Sequence, residues 1–102
     1  MATLRVSPEA ESDLDDIWLY VAQASGSVET ASRVIDNITD RIWLLAQHPF
    51  LGRRRDEDLM PGVRSVVAGE YVVLHRVENG GSRVVILHVL HESRDIAGFF
   101  GP

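Results

Sequence analysis

Apolar positions change period along this chain, and each change marks an expected element. Ala10, Leu14, Ile17, Trp18 and Val21 fall at steps of three and four, the repeat of an amphipathic helix. Ser7-Pro8-Glu9 opens it with a hydroxyl N-cap, a proline suited to the first helical position, and a carboxylate at the positive end of the helix dipole. Gly26 is a natural stop. Ala31, Val34, Ile35, Ile38, Ile42 and Leu45 repeat the spacing after a second hydroxyl cap, Ser27. This second helix is expected to end near His48, because the residue before Pro49 is pushed out of helical geometry. At roughly 20 residues it spans about 30 Å. Two such helices joined by a few residues predict an antiparallel hairpin, with Trp18 and Trp43 read as core anchors.

The remaining apolar runs read as strands: 3–6, 63–67, 71–77 and 83–90. Asn79-Gly80 between two β-branched runs predicts a type I′ hairpin, since both central residues of that turn need positive φ. With those two at the centre, Val77 faces Ser82, His75 faces Val84 and Tyr71 faces His88. Alternation then sorts the hairpin into two faces. Val72, Leu74, Val85, Leu87 and Val89 form a wholly apolar face, expected to receive the helices. Tyr71, Val73, His75, Val84, Ile86, His88 and Leu90 form a greasy face carrying a tyrosine and two histidines. It is expected to be covered by a partner or by a C-terminal segment of the same chain. Residues 49–58 read as a loop. The expected fold class is α+β: one domain over 1–102, in two layers with order β-α-α-β-β-β. A helix hairpin packs on a mainly antiparallel sheet of three to four strands.

Composition narrows the classes of function. The chain has no cysteine, so disulfides and thiolate chemistry are excluded. No basic-then-apolar leader or membrane-length apolar run is present, and a cytoplasmic location is expected. The net charge of −5 argues against a broad nucleic-acid footprint. All ten basic residues are arginine, which suits bidentate contact with phosphate or carboxylate. Arg53, Arg54 and Arg55 directly precede Asp56, Glu57 and Asp58, as in a self-neutralising loop. Glu9, Asp13 and Asp16 read as a solvated helix face.

Candidate chemistry is sparse. His88 and His91 lie at a spacing that sends them to opposite faces of a strand, and no carboxylate completes a tetrahedral metal site. No serine sits at a nucleophile elbow, and no phosphate-binding glycine loop is present. Acid–base cleavage of RNA needs a base, an acid and cations around the phosphate. His75, His88, His91 and Glu92 could supply the first two, and Arg64, Arg76 and Arg94 the third.

Several stretches together resemble the ParE branch of the RelE/ParE toxin superfamily: Asp13-Leu14-Asp15-Asp16-Ile17-Trp18, Leu45-Ala46-x-x-Pro49-x-x-Gly52-Arg53, Tyr71-Val72-Val73-Leu74-His75-Arg76, and the closing His91-x-x-Arg94-Asp95. The resemblance covers nearly the whole chain. It implies the toxin of a type II toxin–antitoxin module, held inactive by a cognate ParD-like, ribbon-helix-helix antitoxin that also binds the operator. The toxin reaches operator DNA only through that antitoxin. ParE-like members inhibit DNA gyrase, whereas RelE-like members cleave mRNA in the ribosome. The absence of lysine favours the ParE branch, and the acidic net charge is a departure from it. The expectation is therefore a gyrase-inhibiting toxin that is not an enzyme and takes no cofactor or metal.

The first alternative is a ribosome-dependent mRNA interferase using His88 or His91 with Arg64 and Arg94. The second is a weak toxin acting mainly as antitoxin partner and co-repressor. Antitoxin contact is expected at Tyr71, Val73, Ile86, His88 and Leu90, with acidic antitoxin residues reaching Arg53, Arg54, Arg55 or Arg64. Apolar burial would dominate, so binding is expected to weaken little in high salt. Arg94 and Asp95 are expected either to form an internal ion pair that fixes the C-terminal tail or to be the target-binding residues.

Overall fold

In the computed structural model, residues 1–99 are described. Helix α1 (Pro8–Ser25) begins where the sequence supplies a cap: Ser7 Oγ accepts the Ala10 N–H at 3.0 Å. The same hydroxyl donates to the Leu87 carbonyl at 2.9 Å, so one side chain both starts the helix and fixes it to the last strand. Gly26, at φ 69°, ends α1. Ser27 caps α2 (Val28–Gln47) through the Thr30 N–H at 3.1 Å. Trp18 is half-buried, with its indole N–H 3.5 Å from Ser32 Oγ. Trp43 is not a core anchor: it is 59% exposed. The buried stripe of α2 runs through Ala31, Ile38, Ile42 and Leu45, and Trp43 lies one residue, hence about 100°, round from it.

Five strands follow: β1 (Thr3–Val6), β2 (Arg53–Arg54), β3 (Val63–Ala68), β4 (Tyr71–Glu78) and β5 (Arg83–His91). They form one sheet in the order β1-β5-β4-β3-β2. β1 runs parallel to β5, and the other pairs are antiparallel. A short helix, α3 (Ile96–Phe99), closes the described chain. The expected architecture holds, with one strand more than expected. That strand, β2, is two residues long, too short to leave a periodic signal in a stretch read as loop. Among the described residues no helix is long and apolar enough to cross a membrane.

The hairpin register differs from the expected one for two reasons. Asn79 and Gly80 do take positive φ, at 52° and 66°, but so does Gly81 at 104°. The connection therefore spans four residues, and Glu78 pairs with Arg83 and Val77 with Val84. Gly81 has a local reason to be glycine: a Cβ there would sit 2.9 Å from the Phe50 ring. The second reason is a bulge. Leu74 pairs with His88 but His75 pairs with Ile86, leaving Leu87 as the extra residue and inverting the alternation beyond it. Val89 thus joins the face of Val84 and Ile86, and Leu90 that of Leu87.

The two faces are also assigned the other way round. The helices cover Tyr71, Val73, Val84, Ile86 and Val89, with Ala10, Ile17, Ile38, Ile42 and Leu45 among the buried contacts. Val72, Leu74 and Leu90 form a second cluster, covered by Leu59, Leu87 and Ile96. Both faces are apolar because both are covered, one by the helix pair and the other by the 55–62 loop and α3. Hydrophobicity alone therefore could not rank them.

Candidate partner-binding groove

A groove of about 620 Å³ runs between α1 and the far ends of β4 and β5. Its helical wall is the stripe Asp13, Asp16, Ile17, Tyr20, Val21 and Ala24, and its opposite wall includes Glu70, Tyr71, Val89, His91 and Arg94. The stripe is legible as residues three and four apart, but its mixture of acids and apolar groups hides it from a search for apolar periodicity. Tyr71 and His91 meet edge to face, with ring centroids 5.3 Å apart and planes at 89°. His91 Nδ1 accepts the Ser93 N–H at 3.1 Å and lies 2.7 Å from Ser93 Oγ. With Nδ1 accepting, the ring proton sits on Nε2, 3.9 Å from the Glu70 carboxylate.

Asp13 belongs to this architecture rather than to a solvated face. β1 pairs with β5 only as far as Val6 opposite Ile86, where the chain turns into α1. Beyond that point β5 has polar backbone groups without a strand beside them, and unpaired buried groups are costly. Ser7 takes the Leu87 carbonyl. Asp13 Oδ2 takes the Val89 N–H at 2.9 Å and the His88 Nδ1–H at 3.0 Å.

The residues proposed for acid–base cleavage are not brought together. His91 and Arg94 line the groove, while His88 is held against Asp13. Arg64 pairs across β3–β4 with His75, four residues along β4 from Tyr71, the partner of His91; that separation is about 13 Å. There Arg64 Nη1 donates to the carbonyls of Phe50 (3.0 Å) and Gly52 (3.3 Å), and its guanidinium lies 5.5 Å from the Phe50 ring centre. His75 is wholly buried. Its Nε2 lies 3.3 Å from the Pro49 carbonyl, and Nδ1 is buried with no hydrogen-bond partner. Burial pulls its pKa from 6.5 down to about 4. Arg76 pairs with Glu78 at 3.1 Å, and Glu92 is exposed. Among the described residues no group of three or more His, Asp or Glu could hold a metal ion.

The expected antitoxin surface also needs correction. Val73 and Ile86 are fully buried under the helices and offer no open face. Leu90 is buried in the second cluster but also borders the groove. Tyr71 is largely buried but contributes to the groove. Arg54 pairs with Asp56 at 2.8 Å. Arg55 pairs with Asp58 at 2.6 Å and donates to Ser65 Oγ at 3.1 Å. The Gly62 N–H and Arg54 lower the pKa of Asp56, and Arg55 lowers that of Asp58. Arg53 is exposed. Asp95 Oδ1 accepts the Gly98 N–H at 3.1 Å, capping α3.

Known proteins share this fold. Residues 4–96 match the family described as ParE toxin of type II toxin–antitoxin system, parDE. The Toxin ParE1 of Caulobacter vibrioides is 40% identical over 101 residues, covering 99% of this chain and all of the relative. The Toxin RelE3 of the same organism is 33% identical over 91 residues, covering 89% of this chain and 95% of the relative. A solved structure of the chromosomal ParDE TA system from P. aeruginosa superposes with a TM-score of 0.75 at 25% identity, over 89% of this chain and 96% of that one. A helix pair over a five-stranded mixed sheet is thus the fold of a RelE/ParE-type toxin. Within that class, the chain belongs to the ParE toxin family of type II toxin–antitoxin systems.

Proposed function

We propose that this toxin acts by binding rather than by catalysis: it inhibits DNA gyrase in the cytoplasm and is neutralised by a ParD-like antitoxin. The observation that carries this reading is the separation of Arg64 from His91 and Arg94. Arg64 is committed to the Phe50 and Gly52 carbonyls, which supports reading His88, His91, Arg64 and Arg94 as separate groups and not as one phosphate site. Full-length similarity to a ParE1 toxin supports the same reading. Operator DNA is reached only through the antitoxin, in keeping with the net charge of −5.

A second reading has one observation in its favour. His91 and Arg94 share a groove with Glu70, and such a trio could in principle serve ribosome-dependent mRNA cleavage, as the similarity to a RelE3 toxin also suggests. Supercoiling assays with purified toxin, paired with mapping of transcript ends after induction, separate the two. Inhibited supercoiling with intact transcripts supports the gyrase reading, and codon-positioned cuts support the interferase.

A further inference from the structure

The negative charge of this chain is concentrated in one layer. Helix α1 carries five carboxylates and no cation, and α2 adds three carboxylates against two arginines. Between residues 48 and 91 six arginines face five acids. The groove lies at the boundary, with α1 as one wall. Asp16 and Tyr20 project from that wall one turn apart, and both are exposed. Glu70, with its side chain 77% exposed and its carboxylate 3.9 Å from His91 Nε2, stands on the opposite wall, which also carries the groove's one arginine among the described lining, Arg94. Between them Ile17, Val21 and Tyr71 supply apolar and aromatic surface.

A long cationic side chain suits this combination: its stem covers apolar surface, its head sits over an aromatic face, and carboxylates pair with it. At about 620 Å³ the groove has room for several side chains of a peptide segment, not for one ion alone. We infer that the groove seats a basic, amphipathic segment of the antitoxin, placing an arginine or lysine between Asp16 and Glu70 against Tyr20 and Tyr71. This rests on the antitoxin reading above. It reverses the charge pattern expected from sequence, in which acidic antitoxin residues sought the arginines. Arg54 and Arg55 already pair with Asp56 and Asp58, whereas Asp16 and Glu70 present exposed carboxylates to the groove.

The test uses the toxin and its cognate ParD-like antitoxin, with affinity measured by calorimetry. The double variant Asp16→Lys/Glu70→Lys is expected to bind about a hundredfold more weakly, and the isosteric Asp16→Asn/Glu70→Gln about tenfold more weakly. Both should melt like the wild type, since the two positions are exposed. Arg53→Glu should change affinity by less than about threefold. Unchanged or tighter binding by both double variants overturns the inference while leaving the antitoxin reading intact. So does a wild-type dimer that the charge reversal dissociates without altering antitoxin affinity, because the groove would then be a self-interface. An antitoxin that fails to bind even wild-type toxin overturns the antitoxin reading, and this inference with it.

Discussion

Asp13 on α1 accepts the backbone N–H of Val89 on β5 at 2.9 Å, across a sequence separation of 76 residues. It does so at the point where β5 outruns its parallel neighbour β1, and the same oxygen also receives His88 Nδ1–H at 3.0 Å. One carboxylate thus replaces a missing strand and holds the groove's two walls together. Asp13→Ala leaves a part-buried N–H without its acceptor, at a cost of about 1–3 kcal/mol. Thermal unfolding should show a midpoint several degrees lower. An unchanged midpoint would mean that the strand end needs no such support.

The buried His75 predicts a pH dependence with a definite sign. Its folded pKa lies near 4 against an ordinary 6.5, so the folded state holds the ring neutral while the unfolded chain takes up a proton first. Stability from this group is complete above about pH 6.5, falls as pH drops towards 4, and is flat below that. The full span corresponds to roughly 3 kcal/mol. Urea unfolding at about pH 7.5 and pH 4.5 should show most of this loss in the wild type, and a smaller loss in His75→Gln, whose amide can still donate to the Pro49 carbonyl. Equal losses in both proteins would assign the acid sensitivity to other groups.

Arg64 is predicted to be a structural clamp on residues 50–52. Lysine keeps the charge but lacks the planar fork and stacks less well. Arg64→Lys should therefore lower the melting point by a few degrees while the folded fraction keeps its full toxicity. A variant with unchanged melting and lost toxicity would move Arg64 from support to target contact.

Much of the fold was legible because local signals agreed. Ser7 and Ser27 mark helix starts through their hydroxyls and Gly26 marks a helix end through its positive φ, and the helical stripe of Ile38, Ile42 and Leu45 is unambiguous. The hairpin was legible as a hairpin, but its register was not. Gly81 extends the turn by taking a third positive φ, and the Leu87 bulge inverts the alternation that sorts the strand faces. Neither leaves a mark that residue periodicity can read. The groove was harder still. Asp13 and Asp16 look like ordinary surface acids until tertiary contact gives one a strand end to cap and the other a groove to line. His91 and Arg94 line one groove, but sequence could not show that Arg64 sits about 13 Å along the sheet from His91.

The proposed action on gyrase needs no chemistry of the toxin's own. The most direct test is DNA supercoiling by purified gyrase with added toxin, then with toxin and antitoxin together. Inhibition is expected to rise with toxin concentration and to be lifted by stoichiometric antitoxin. Undiminished supercoiling at saturating folded toxin, together with codon-positioned cuts in ribosome-bound mRNA, would contradict it.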